Sequence, residues 1–370
     1  MNNRYYIIAG EVSGDIHGAE LVKSMKKLNS GLKFKGFGGD NMKEEGVDIS
    51  VGLDRLSIMG FIEVLLNIGT ILSNFRIAKK EILEFNPEAL ILIDFPGFNL
   101  RIAKWAKKHN IKVYYFIAPM VWAWGRGRVK SIKKNLDKLY VILPFEKDFF
   151  SNYGIDAVYV GNPLVRKVNN FEPDPYFLSK LGINSDSEII AFFPGSRNSE
   201  IKRNIKPVIP LIEKYKEKIF LVAAMKNTDD KYLNEVNNYE NVHVLYDRNY
   251  DILNIANAGI IKSGTSSLEA SLFKLPHVVV FMSSGISAVI TRLLIKVKYI
   301  SLINLILDKL VVKELLQSEF NFKNLDSEIS NLFDEKYRTE KIQEFEKGID
   351  ILKMNDVPTD IIAKSILFNE

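Results

Sequence analysis

Three places in this chain combine side chains suited to work on a phosphorylated ligand. The first is Gly259-Ile-Ile-Lys-Ser-Gly-Thr-Ser-Ser-Leu-Glu-Ala270. A short apolar run enters Ser263-Gly264-Thr265, and a helical pattern follows. Gly264 permits a tight turn and close approach of a ligand to the backbone. Thr265 and Ser266 are good N-caps, and the free N–H groups of a first helical turn suit a diphosphate. Glu269, about one turn further in, is placed to accept hydrogen bonds from ribose hydroxyls. The plainer alternative is a capped helix with a solvated Glu. The second place is Asp94, directly after the apolar run Ala89–Ile93. A partly desolvated carboxylate there can take a proton from an attacking hydroxyl; the competing reading is an Asx-type bond that anchors the Pro96-Gly97 turn. The third is Arg197 in Pro194-Gly-Ser-Arg. Its planar fork matches a leaving diphosphate, and the competing reading is a surface pair with Glu200.

These residues need elements to hold them. Arg4–Ala9 reads as a buried strand ending in Gly10-Glu11-Val12-Ser13-Gly14-Asp15, which places Glu11 and Ser13 at a strand's carboxyl end. Ser13 and Asp15 are also candidate caps for the helix that follows. Strands are expected at 34–37, 89–94, 112–117, 139–143 and 158–160. A second series is expected at 188–193, 219–224, 242–245, 258–261 and 278–281. Helical patterns alternate with them, so the expected fold class is α/β, with two doubly wound parallel sheets. Asp94, Asn99, Arg197 and the stretch from Ser263 to Glu269 then all follow strand ends, where ligands bind in such sheets. The expected divisions are 1–165, 166–340 and a helical tail over 341–370.

Composition sets bounds. At 370 residues, 47% hydrophobic and 26% charged, the chain is ordinary globular material with room for two cores. A net charge of +5 is too mild to argue for nucleic acid. The absence of cysteine removes disulfides, thiolate metal sites and a Cys nucleophile. His17, His109, His243 and His277 show no ligand spacing. No metal or cofactor is expected. The N-terminus reads as a first strand, and no run approaches the roughly 20 apolar residues of a membrane span, so a cytoplasmic location is expected. The run 58–72, with Met59, Phe61, Leu65 and Leu66, is apolar on more than one face. It suits a core helix or a surface for acyl chains equally well. The apolar segment 282–312 carries Arg292, Lys296 and Lys298, a pattern for a membrane surface or for helices with a wet basic face.

Together the blocks Ala9–Asp15, Ile58-Met-Gly60 with Glu63-Val64, Ile93–Asn99, Pro119–Trp124, Leu143-Pro-Phe-Glu146, Val160-Gly-Asn-Pro163, Pro194–Arg197, Ser263-Gly-Thr265 with Leu268-Glu269, and Ser301-Leu-Ile-Asn304 resemble lipid-A-disaccharide synthase. The resemblance implies a GT-B glycosyltransferase with two Rossmann-like domains across a cleft. The implied reaction joins UDP-2,3-diacylglucosamine to 2,3-diacylglucosamine 1-phosphate (lipid X), with inversion and without metal. It gives the β-1,6 disaccharide 1-phosphate and UDP. It implies Asp94 as general base and Arg197 at the diphosphate. Ser263, Gly264, Thr265, Ser266, Glu269 and Asn304 fall on the donor side, and Glu11, Ser13, Asn99 and Asn162 on the acceptor side. It also implies work at the inner face of the cytoplasmic membrane, with Met59, Phe61, Leu65, Leu66, Arg292 and Lys296 as lipid contacts, and a homodimer that exchanges C-terminal segments. Some relatives have an acidic residue where Gly97 stands and His where Asn162 stands, so those roles do not transfer. Two other readings are another GT-B UDP-sugar enzyme, an epimerase or a peptidoglycan-type transferase, and a non-catalytic UDP-sugar-binding protein.

Overall fold

The structure, a computed structural model, describes residues 3–56, 67–123, 125–226, 228–282 and 298–368. The chain forms two units: residues 1–162 with 354–370, and residues 163–353.

In the first unit the sheet is parallel and seven-stranded among the described residues, in the order β3-β2-β1-β4-β5-β6-β7. Its strands are β1 (Arg4–Ala9), β2 (Lys33–Gly38), β3 (Val47–Gly52), β4 (Ala89–Ile93), β5 (Lys112–Phe116), β6 (Lys138–Val141) and β7 (Ala157–Tyr159). The central strands β1 and β4 pair in register from Tyr5 with Ala89 to Ala9 with Ile93. Both are continuous apolar runs because helices cover both faces. On one face Ile7 and Ile91 pack with Leu21, Val22 and Met25 of the helix Val12–Leu28. On the other, Ile8 and Leu92 pack with Ala78 and Ile82 of the helix Ile68–Phe85 and with Ile102 of the helix Pro96–Lys107.

The second unit repeats the plan with a parallel sheet, six-stranded among the described residues, in the order β10-β9-β8-β11-β12-β13. These strands are β8 (Ile189–Phe193), β9 (Ile219–Ala224), β10 (Val242–Tyr246), β11 (Ala258–Lys262), β12 (His277–Phe281) and β13 (Glu314–Leu316).

The tail divides between the units. The helix Glu335–Leu352 stays with the second, where Phe345 stacks on His277 with ring centroids 5.6 Å apart. The helix Pro358–Phe368 returns to the first. There Ile362, Ala363 and Ile366 join the core around Ile7 and Ile91, and Thr359 Oγ1 lies 2.9 Å from Ser24 Oγ. Burying each aliphatic side chain is worth roughly 1.5–3 kcal/mol, enough to hold the last turns on the domain that begins the chain. The divisions expected at 165 and 340 thus fall at 162 and 353, since the helix over 335–352 carries its apolar face toward the second unit.

In each sheet the strand order reverses beside the first strand of the unit: between β1 and β4, and between β8 and β11. Loops diverge at such switch points and leave a crevice at the carboxyl ends of the strands. Glu11 and Asp94 follow β1 and β4. Arg197 and Ser263 follow β8 and β11.

Candidate active site

In the first unit the strand stops at Ile93, and Asp94 and Phe95 both take left-handed backbone, with φ of 44° and 50°. Ile117, at the end of the neighbouring β5, has φ of 65°. Left-handed geometry is costly for non-glycine residues, above all for a β-branched one, and it clusters at functional sites. Several bonds hold Asp94 in place. Its N–H donates to Phe116 O (2.9 Å). Its carbonyl accepts from Tyr115 Oη (2.5 Å) and from Asn99 Nδ2 (2.8 Å). The backbone carries the restraint, so the partly buried carboxylate is left for other work. Its pKa is pushed up to about 6, first by burial and then by the charge of Glu11. The Phe95 N–H and the nearby His17 pull it the other way. Gly10 makes the turn possible: a Cβ there would lie 2.3 Å from the Phe95 ring.

Asn99 is fully buried, and its amide also donates to Ile93 O (3.2 Å). It fastens the strand ends rather than facing a ligand. Asn162 is likewise buried, whereas Ser13 is exposed and Glu11 partly so. Asp15 does not cap its own helix. It reaches across to the helix Asp40–Glu44 and accepts from Gly39 N, Met42 N and Asn41. Nor does Ser13 make a cap bond there; Glu11 occupies the N-cap position without one.

A carboxylate that sequence reasoning assigned no role completes this edge. Buried Glu146 accepts from Ile142 N (3.3 Å), Leu143 N (3.1 Å) and Trp122 Nε1 (2.9 Å). It therefore ties the loop after β5 to the helix Pro144–Ser151. Burial pushes its pKa up to about 7. The signal was available as a Glu two residues after a Pro at a helix start, a capping-box position.

In the second unit the helix Thr265–Leu272 begins with Gly264, not Thr265 or Ser266, at its N-cap. Gly264 has φ of 148°, and a Cβ there would meet nothing within 4 Å. Gly264 and Thr265 are exposed, so the first N–H groups of the helix face open space. Glu269 is not a solvated carboxylate. It is buried, and Tyr250 Oη donates to its Oε1 at 2.8 Å. Burial raises its pKa, while that hydrogen bond and Lys167 act to lower it. Tyr250 packs edge-on with Phe171 and Phe273, at centroid distances of 5.5 and 5.1 Å. Arg197 is exposed, with its guanidinium 3.4 Å from Glu200 Oε1. Glu200 also holds Lys262 at 3.0 Å. Since Phe193 pairs with Ile261, one carboxylate organises two cations at adjacent strand ends.

Asn304 is a different matter. It is fully buried, donates to Val312 O and Glu314 Oε1 (both 2.9 Å), and accepts from Val311 N and Val312 N. All its bonding capacity goes into that turn, so it positions the backbone instead of lining a surface. Met59, Phe61, Leu65, Leu66, Arg292 and Lys296 lie outside the described residues. Among the described residues no three His, Asp or Glu side chains group as a metal site, and no helix is long and apolar enough to cross a membrane.

Two parallel α/β units of this topology are the architecture of the GT-B class. A UDP-GlcNAc 2-epimerase from Neisseria meningitidis, solved bound to UDP-GlcNAc, matches with a TM-score of 0.70 over 99% of this chain and 100% of that one. The glycotransferase of kitacinnamycin matches with 0.63 over 98% of each. Identities of 14% and 11% make these likenesses of fold alone. Sequence identifies the family. The profile described as lipid-A-disaccharide synthetase matches residues 5–356. The lipid-A-disaccharide synthase of Geobacter sulfurreducens is 35% identical over 348 residues, 92% of this chain and 90% of the relative. One from Legionella pneumophila is 37% identical over 337 residues, 89% of this chain and 88% of the relative. The chain belongs to the lipid-A-disaccharide synthetase family.

Proposed function

We propose that this chain joins UDP-2,3-diacylglucosamine to 2,3-diacylglucosamine 1-phosphate, forming the β-1,6 lipid A disaccharide 1-phosphate and UDP. Family membership supports the reaction. The observation that carries the mechanism is Asp94, a strained, partly buried carboxylate with its pKa near 6 at a sheet's switch point. The acceptor 6-hydroxyl gives its proton to Asp94 as its oxygen attacks C1 of the donor sugar from the face opposite UDP. The C1–O bond to the diphosphate breaks, the electron pair leaves with UDP, and the anomeric configuration inverts. Arg197 and the open helix start at Gly264 and Thr265 receive the growing charge of the diphosphate. Glu269, held by Tyr250, faces the ribose. In this reading the protein works peripherally at the inner membrane face, where both lipid substrates reside.

The deciding experiment mixes the protein with both lipid substrates in detergent micelles and follows UDP and disaccharide together. Equal release of the two supports the transfer. Sugar interconversion without disaccharide would establish an epimerase instead, and UDP binding with no product would establish a non-catalytic binding protein.

Asp94 supplies the base, and Arg197 with the helix start supplies the positive field, so this chemistry calls for no resident ion. Turnover is expected to stay within twofold when EDTA replaces divalent cations in the assay. A loss reversed by Mg²⁺ would contradict that assignment. Arg197→Ala removes charge-assisted bonds worth about 1.5–3 kcal/mol. It is expected to raise the Kd for UDP about tenfold to a hundredfold in equilibrium titration. An unchanged Kd would leave Arg197 as the partner of Glu200 only.

A further inference from the structure

Beside Phe95, the residue after Asp94, lies a cavity of about 200 Å³, lined among the described residues by Leu56, Ile71, Asn74, Phe95, Phe98 and Arg101, with Gly97 at its rim. Its walls are largely apolar and firmly packed. Phe98 stacks on Phe75 at 4.2 Å between centroids and on Phe95 at 5.6 Å. Gly97 is exposed and a Cβ there would meet nothing within 4 Å, so the mouth opens beside the catalytic turn. Arg101 is exposed at the rim. Among the described lining residues, Asn74 is the buried polar side chain. It is only 2% exposed. Its Nδ2 donates to Arg55 O at 3.3 Å, and its Oδ1 has no hydrogen-bond partner among the described residues. A buried amide oxygen left unpaired is costly; Asn99, Asn204 and Asn249 also carry one, and of these four Asn74 is the one that lines the cavity.

We propose that this cavity is the acyl subsite of the acceptor, and that Asn74 Oδ1 accepts a hydrogen bond from a donor group carried near the chain's carbonyl end. The proposal rests on the transfer reading above and specifies what that reading leaves open. Phe95 both lines the cavity and follows Asp94, so a chain seated here holds its sugar next to the base. The volume is below the roughly 300–1,000 Å³ of a typical small-molecule pocket; it suits part of one extended chain rather than a ring system. A purely hydrocarbon ligand would fill the cavity and leave Asn74 unpaired. A chain bearing a hydroxyl close to its carbonyl, or joined to the sugar through an amide N–H, would satisfy it. Arg101 at the rim suits the acceptor's phosphate.

Three acceptors of equal chain length separate the possibilities: one with a hydroxyl near the chain carbonyl, one without it, and one with the amide linkage replaced by an ester. KM and kcat are measured for each with the wild type and with Asn74→Leu. The wild type is expected to prefer whichever acceptor carries the donor by about tenfold in KM, within the range that an unpaired buried polar group implies, at similar kcat. The comparison shows whether that donor is the hydroxyl or the amide. Asn74→Leu is expected to treat all three within twofold. If it keeps the wild-type preference, the proposal falls. The variant Ile71→Trp fills the cavity from a partly exposed helix position and guards against a folding artefact at Asn74. It is expected to raise KM at least tenfold for long-chain acceptors and leave a short-chain acceptor unchanged. Equal effects on both, or none on either, would overturn the subsite. The same ratios are read as Kd values by titration in micelles. If no acceptor is turned over, the transfer reading fails, and those binding ratios alone decide the cavity.

Discussion

Asp94→Asn lowers kcat by two to four orders of magnitude, the usual worth of a positioned general base, and leaves the Kd for UDP within twofold of wild type. The substitution keeps shape, and the backbone bonds to Phe116, Tyr115 and Asn99 do not involve the side chain. What goes is the ability to take the acceptor's proton. The pH dependence follows. Because the carboxyl titrates near 6, the ionised base is present above that pH and disappears below it. In the wild type log(kcat/KM) falls with unit slope as pH drops through about 6, and that limb is missing from the residual activity of the variant. Stability runs in the opposite sense. The folded pKa is raised above that of the unfolded chain, so folding favours the protonated acid. Whatever Asp94 contributes is full at low pH and is lost as pH rises through about 6. At pH 8 the native state carries a desolvated charge, and Asp94→Asn is expected to melt no lower than wild type. A variant with full turnover would remove Asp94 from the chemistry. A variant that lost turnover only because it melted early would show a structural role.

Much of this architecture could be read in the sequence because its signals are local. β4 and β8 are five-residue apolar runs, long enough for a buried parallel strand and too short for a helix, and the polar residues that end them mark the site loops. The edge strands β7 and β10 were legible, but β3 and β13 were not. Val47–Gly52 alternates apolar and polar residues over six positions among turn formers, and Glu314–Leu316 spans three; both are held by a neighbour already in place. Burial of polar residues was hidden for a similar reason. Glu269 and Asn304 look alike in the sequence as polar residues open to a ligand. Only the fold reveals that Tyr250, 19 residues away in sequence, approaches the first, and that a turn over Val311 and Val312 closes around the second. Glu146 kept its bond to Trp122 out of sight because its partner lies 24 residues upstream. The cavity around Asn74 left no sequence signal, since its described lining comes from three separate segments.

Asp15 shows how a residue read as a local cap can hold a domain together, and its loss is the largest stability effect expected here. Its carboxylate is fully buried. Oδ1 accepts from Gly39 N at 2.7 Å and Met42 N at 3.2 Å; Oδ2 accepts from Asn41 N at 3.1 Å and Asn41 Nδ2 at 2.8 Å. One charge therefore serves three backbone donors at the start of the helix Asp40–Glu44, and it joins that helix to the one that begins at the Glu11 loop. Asp15→Ala leaves those donors unpaired in a partly dry space, where each lost charge-assisted bond costs about 1.5–3 kcal/mol before relaxation. With water reaching the more exposed of them, a net loss of about 3 kcal/mol is expected. For a unit of this size that lowers Tm by about 6–12 °C. Asp15→Asn retains the shape and presents one acceptor, but it turns an N–H₂ toward a backbone N–H, so its Tm is expected to fall between the two. The residues assigned to UDP belong to the other unit. UDP affinity at low temperature should therefore stay near wild type in both variants, while transfer activity falls with the acceptor-side loops. Calorimetry read beside UDP titration checks this. A Tm within 1 °C of wild type for Asp15→Ala would mean that water replaces the carboxylate at little cost, and that the Glu11 loop is held by packing alone.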